Sequence, residues 1–269
     1  MPPSFLQKLR SAQERNQSFL CIGLDPDPAR LQGRPVPAFL QAIIEATSDL
    51  VCAYKPNLAF FEAMGIGGMQ VLVESLAMVP DHIPVIGDAK RGDIGNTAEF
   101  YARALFEQMD FDAVTVNPWG GEESVRPFAD YADRGVLVWC RGSNPSSADL
   151  QEQTLADGRR VYEVVAELAQ GWNRHGNIGL VAGATYPEDI ARVRRLAPQM
   201  PLLVPGVGAQ AGDLEAAVRA AVDAEGAGMI INSSRQVLYA SPGDDFAQAA
   251  RRAAHDLRLQ INQAREAGR

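Results

Sequence analysis

The stretch IPVIGDAKRGDIGNTA, residues 83–98, passes from an apolar, β-branched run through Asp88, Lys90 and Asp93 into a helical pattern. A short apolar run, a polar end, a glycine turn and a helix make one βα unit. The unit recurs along the chain. FLCIGLD (19–25) precedes a helical pattern near 36–49, and VCAYKPN (51–57) precedes one near 67–78. PVIGDAK (84–90) leads into a helix near 94–109, AVTVNP (113–118) into one near 122–132, and GVLVWCR (135–141) into a long one near 157–173. NIGLVAG (177–183), PLLVPGVG (201–208) and GMIINSS (228–234) complete the strands, with helices near 187–197, 212–224 and 244–264. The strands are continuous apolar runs, as expected where both faces of a parallel sheet are covered. Eight such units in 269 residues predict an α/β fold, a (β/α)8 TIM barrel in preference to an open doubly wound sheet. No low-complexity linker divides the chain, so residues 1–269 read as a single barrel domain. The longest polar connection, RGSNPSSADLQEQTLADG (141–158), follows the fifth strand and is a candidate lid.

Composition narrows the partners. A hydrophobic fraction of 46% with 22% charged residues is ordinary for a globular protein. The formal net charge of -8 has the wrong sign for a nucleic-acid binder, which needs a basic face, so any anionic ligand must be held by local groups. No apolar run approaches the roughly 18 to 20 residues that span a bilayer, and MPPSFLQKLR lacks the apolar segment of a signal peptide. No membrane partner and a cytoplasmic location are therefore expected. Cys21, Cys52 and Cys140 are scattered without CxxC spacing and read as small buried residues, not as disulfides or zinc ligands. His82, His175 and His255 stand apart from one another and from any nucleophile, which weakens metal-hydrolase and Ser/His readings.

Chemistry in such a barrel sits at the C-terminal ends of the strands. Those ends carry Asp25, Lys55 with Asn57, Asp88 with Lys90, Asn117, Ser143 with Asn144, and, just beyond strands seven and eight, Gln210 and Arg235. Of 25 basic residues only Lys8, Lys55 and Lys90 are lysines, and two of these occupy strand ends. Arginine does not release a proton near neutral pH, whereas lysine can. Asp88 and Lys90, two apart on a strand, point the same way. Asp93 lies past the turn at Gly92, where it is either a helix cap or a third charge of the cluster. A Schiff-base lysine must be neutral, and flanking carboxylates favour the ammonium instead. Lys90 is thus expected to be a proton donor or cation clamp; a plain salt bridge is the other reading. A second constellation is PGVGAQAGD (205–213) followed by NSSR (232–235). Loops after strands seven and eight are the usual phosphate site of these barrels, with backbone N–H groups facing the anion and Arg235 adding a bidentate contact.

With these residues in place, the chain resembles the orotidine 5'-phosphate decarboxylases. The resemblance lies in DAKRGDIGNT (88–97), GLD (23–25), YKPN (54–57), SNPS (143–146), PGVGAQAGD (205–213) and NSSR (232–235), in the family's order over nearly the whole chain. The RGDIG and SNPS wording looks like the second bacterial subfamily, type 2. The resemblance implies conversion of orotidine monophosphate to uridine monophosphate and carbon dioxide, with no metal or organic cofactor. It implies that Lys90 gives a proton to C6 of the pyrimidine, that Asp88 sits near the substrate carboxylate, and that Asp93 and Thr97 come from the other subunit of a homodimer with shared active sites. Lys55 and Asp25 would bind the ribose region, Lys55 also joining the charged network, with Asn57 beside them. Ser143 would contact the pyrimidine ring, and Gln210 and Arg235 the phosphate. Two alternatives stand beside this: a relative acting on a sugar phosphate with Mg²⁺, such as a hexulose-phosphate synthase, and a catalytically silent barrel that senses a nucleotide.

Overall fold

The computed structural model describes residues 3–207 and 213–267. Its strands are β1 (Leu20–Ile22), β2 (Ala53–Tyr54), β3 (Ile86–Arg91), β4 (Ala113–Val116), β5 (Gly135–Arg141), β6 (Ile178–Ala182), β7 (Leu202–Pro205) and β8 (Met229–Ser233). They form one eight-stranded sheet in the order β2-β1-β8-β7-β6-β5-β4-β3, with parallel neighbours throughout. The seam between β2 and β3 is bridged only at Tyr54↔Val85 and Asn57↔Asp88. There the Asp88 N–H donates to the Pro56 carbonyl at 2.9 Å. The sheet is therefore a nearly closed barrel, the expected (β/α)8 fold, and its weakest seam passes between Asn57 and Asp88.

Helices Val36–Thr47, Gly65–Leu76, Gly95–Arg103, Glu122–Ala129, Val161–Trp172, Pro187–Leu196, Leu214–Ala221 and Phe246–Ala267 follow the strands in turn. The alternation of strand side chains separates two apolar layers. Leu20, Ile22, Val114, Val116, Val136 and Val138 face outward into the helices. Cys21, Ala53, Ile86, Ala113, Leu137, Val181, Leu203 and Ile230 fill the barrel interior. The three cysteines are free and buried, and burial pushes the thiols of Cys21 and Cys140 up to about 12.

The interior is plugged from below by a helix that the βα pattern does not include, Phe5–Asn16. Ser4 and Gln7 form its capping box: the Ser4 N–H donates to Gln7 Oε1 at 2.9 Å and the Gln7 N–H to Ser4 Oγ at 3.4 Å. Phe5 and Leu9 join the interior layer. The Phe5 ring lies so close to Gly135 that a Cβ there would meet it at 2.2 Å. Lys8 pairs with Asp112 at 2.8 Å on this lower side. Of the three lysines, then, one secures the floor and two are left for the strand ends.

The expected elements differ mainly at their ends. Residues 23–25 and 55–57, expected in the strands, lie beyond the ladder residues of β1 and β2. The helix expected near 94–109 is regular only to Arg103, then widens at Ala104–Gln108, where the Met109 N–H donates to the Ala104 carbonyl at 3.1 Å. The polar connection 141–158 contains two short helical turns, Pro145–Ser147 and Ala148–Gln151.

Candidate active site

Two residues above the apolar interior layer, the same inward face of the strands turns polar. Lys55 follows Ala53, Asp88 follows Ile86, Thr115 follows Ala113, and Asn232 follows Ile230. Lys55, Asp88 and Asn232 line a cavity of about 260 Å³ together with Asp25, Asn57, Ser143 and Arg235. The barrel thus gathers Asp25, Lys55, Asn57, Asp88, Ser143 and Arg235 from its first, second, third, fifth and eighth strand ends; Lys90 does not line the cavity and joins the cluster through Asp88.

Asp88 is the hub. Lys55 Nζ donates to its Oδ2 at 2.9 Å, and Lys90 Nζ to its Oδ1 at 2.6 Å. Thr115 Oγ1 donates to the same Oδ1 at 2.9 Å, and Asn57 Nδ2 approaches Oδ2 at 3.4 Å. Burial alone would raise the Asp88 pKa, but the Lys55 and Lys90 ammoniums outweigh it and hold the carboxyl well below the usual range. Burial likewise works against the Lys55 ammonium, and the charges of Asp88 and Asp25 reverse the balance, raising its pKa. Lys55 is 3% exposed, so its charge is a fixed part of the barrel interior. Asp25 accepts the Asn57 N–H at 3.0 Å, which ties the end of β1 to that of β2.

Lys90 is held in an unusual way. Its φ is +44°, left-handed inside β3, and the β3–β4 register shifts between Gly87 and Arg91. That conformation costs a non-glycine residue about 1–2 kcal/mol, and such departures gather where the surroundings over-determine them. Here the Lys90 N–H donates to Thr115 Oγ1 at 2.9 Å, outside the strand ladder. Thr115 therefore binds both the Lys90 backbone and the Asp88 carboxylate. The strand-end reading missed it; its signal was the one polar side chain in AVTV, in register with the interior layer. The bend places the Lys90 Nζ 6.0 Å from the centre of the Trp139 ring.

Ser143 stands on a braced loop. Its carbonyl accepts Thr185 Oγ1 at 3.0 Å, and its backbone packs against Gly183, where a Cβ would meet Ser143 N at 2.6 Å. Just before it, Arg141 is fully buried, donating from Nε to Asp189 Oδ2 at 2.8 Å and from its other nitrogens to Ser147 and Glu152. The Gly142 N–H donates to Gln151 Oε1 at 2.7 Å. The base of the candidate lid is thereby fastened to the barrel.

Asp93 and Thr97 lie apart. Both are exposed, and neither lines the cavity. The helix that follows has Ile94 at its N-cap position and no side-chain cap, and Asp93 Oδ1 accepts the adjacent Ile94 N–H at 2.8 Å, so Asp93 is not the helix cap. Gln210 lies outside the described residues. Asn117 lines a second, more apolar cavity of about 290 Å³ with Trp119, Trp139 and Leu150. Among the described residues no group of three or more His, Cys, Asp and Glu side chains is arranged to hold a metal ion.

Known proteins resemble this chain over nearly its whole length. Residues 18–253 match the family described as Orotidine 5'-phosphate decarboxylase / HUMPS family. The chain is 53% identical over 268 residues to the orotidine 5'-phosphate decarboxylase of Roseiflexus sp. (strain RS-1), covering 97% of this chain and 98% of that one. The structure of Leishmania donovani OMP decarboxylase superposes with a TM-score of 0.88 at 42% identity, covering 98% of this chain and 99% of that one. Leishmania donovani UMP synthase superposes at 0.90 and 43% identity, this chain spanning 57% of its length.

Proposed function

The chain belongs to the orotidine 5'-phosphate decarboxylase / HUMPS family, and from that premise we propose how its residues divide the work of the reaction. It is an orotidine 5'-phosphate decarboxylase, a carboxy-lyase of pyrimidine biosynthesis. The observation that carries the division of roles is Asp88 held between two ammoniums, at 2.9 and 2.6 Å, beside a cavity with Arg235 in its wall.

In this reading the phosphate of orotidine monophosphate is held by Arg235 and Gln210, the ribose by Asp25, Lys55 and Asn57, and the pyrimidine by Ser143. The substrate carboxylate then lies near Asp88, whose negative charge disfavours the bound carboxylate. Heterolysis of the bond from C6 to the carboxylate releases neutral carbon dioxide and leaves the electron pair on C6. The Lys90 ammonium stabilises that developing charge and gives its proton to C6; neutral Lys90 is then reprotonated from solvent. Lys55 stays charged and keeps Asp88 ionised. Binding energy from the remote phosphate offsets the crowding of carboxylates, and the 141–158 connection closes over the ligand. These steps use no metal or organic cofactor.

Asp93 and Thr97 complete the site from the second subunit of a homodimer. Their surroundings support this: Ile94, Phe100 and Trp119 are 56%, 62% and 76% exposed, and Thr97, Phe100 and Tyr101 share a helix face by their spacing. An exposed apolar group of this kind suits an interface. The RGDIG and SNPS segments support the type 2 subfamily. Among the described residues no helix is long and apolar enough to cross a membrane. We assign the chain, as one barrel domain, to the cytoplasm with a nucleotide as its partner.

The direct test is the loss of orotidine monophosphate absorbance with purified protein. Wild-type protein turns the substrate over, and Lys90→Ala lowers kcat by at least 10³-fold, as expected when a positioned proton donor and cation are both removed (roughly 10²–10⁴-fold for general acid catalysis alone). A Lys90→Ala enzyme with near-normal kcat would end the proton-donor assignment.

A further inference from the structure

We propose that Arg30 is a second guanidinium for the substrate's phosphate, acting beside Arg235; the proposal rests on the nucleotide-binding reading above. Arg30 closes the short turn Pro28–Arg30 after β1 and lines the same cavity as Arg235. Its guanidinium carbon lies 3.9 Å from the centre of the Tyr239 ring. Tyr239 is four residues beyond Arg235, with its N–H bonded to the Arg235 carbonyl at 3.2 Å, so the two share one turn and one cavity wall.

Tyr239 also fixes where that cation stands. Its hydroxyl accepts the Asp27 N–H at 2.7 Å and donates to the Asp25 carbonyl at 3.0 Å. The Arg30 N–H in turn donates to the Asp27 carbonyl at 2.9 Å. One phenol thus joins the loop that carries Asp25, on the ribose side, to the turn that carries Arg235, on the phosphate side. The guanidinium stacked on its ring is held where those two sides meet, with stacking limiting its freedom before ligand arrives.

Charge gives the second argument. Among the described residues neither Arg30 nor Arg235 forms an ion pair with a carboxylate, in a chain whose net charge is -8. Two guanidiniums without carboxylate partners in the lining of one cavity leave positive charge for an anion, and a phosphate monoester with about -1.5 to -2 charges at neutral pH offsets both. Planar, bidentate donors suit this anion better than a point charge.

The test is equilibrium binding of uridine monophosphate and of uridine to wild-type protein, R30M and R30K, with R235M as reference, together with kcat/KM for orotidine monophosphate. R30M should weaken uridine monophosphate and lower kcat/KM by on the order of tenfold, the size expected for one charge-assisted contact, and leave uridine unchanged. R30K should recover part of the loss. Equal losses for nucleotide and nucleoside, or no loss for the nucleotide, would overturn the role of Arg30. Wild-type protein that neither binds uridine monophosphate nor turns over orotidine monophosphate would overturn the nucleotide reading itself, and the proposal with it.

Discussion

A carboxylate that is 9% exposed and touches two ammoniums makes the stability of the barrel depend on pH in a predictable direction. The ordinary value for the Asp88 carboxyl is 3.8 and its folded value is lower, so the unfolded chain takes up the proton first as pH falls. The stabilisation from Asp88 is therefore complete above its unfolded value and is lost as pH falls toward the folded one. Lys55 behaves oppositely: its folded value lies above the ordinary 10.5, so its contribution is present below 10.5 and disappears as pH rises through the folded value. Replacing Asp88 by Asn leaves the buried Lys55 ammonium without its partner, which costs about 3–5 kcal/mol. The Asp88→Asn protein should melt below wild type at neutral pH, and the gap should narrow on going from about pH 4 to pH 2. Thermal melts across that range decide it; a gap that stays constant in acid would show that Asp88 gains nothing from its charge in the folded state.

The site is built from strand ends, but its precision comes from contacts between neighbouring loops. Gly183, directly after β6, lets the Ser143 backbone approach so closely that a Cβ would lie 2.6 Å from both its N and its Cα. Gly183→Ala must therefore move backbone, and backbone cannot rotate out of the way as a long side chain can. The variant should fold, since the clash is confined to the upper rim, and should raise KM for orotidine monophosphate about tenfold or more by displacing the proposed pyrimidine contact. Steady-state kinetics test this, and an unchanged KM would remove Ser143 from the substrate's surroundings. The same contrast explains what could be read from the chain. All eight strands were legible because each is a short apolar run followed by a helical pattern, and Lys55, Asp88 and Arg235 were legible because they occupy or directly follow polar strand ends. Thr115 was not, because its role depends on register across β3 and β4, and the left-handed Lys90 follows no local pattern. The floor helix Phe5–Asn16 was missed because it stands before the first βα unit, although its Ser-x-x-Gln capping box was present in the sequence.

At the scale of the whole molecule, the residues of one continuous run part company: DAKRGDIGNT sends Asp88 and Lys90 into the charged network and leaves Asp93 and Thr97 exposed outside it. A single chain therefore offers an incomplete version of the expected site. If two copies pack through Ile94, Phe100 and Trp119, Asp93 and Thr97 are carried toward the partner's cavity, and every site draws Lys90 from one subunit and Asp93 from the other. This arrangement has a consequence that no single-chain site shares. Lys90→Ala and Asp93→Ala homodimers each carry the defect in both of their sites. In a mixed dimer, one site takes both altered residues and the other takes neither. Random exchange of equal amounts yields half mixed dimers with one intact site each, so about a quarter of all sites are wild type, by counting subunits alone. Activity should rise toward about a quarter of the wild-type value as exchange proceeds. Differently tagged subunits, co-purified to prove exchange, make the measurement decisive. Proven mixed dimers with no more activity than their parents would place Asp93 and Lys90 in the same subunit's site, or outside a common site altogether.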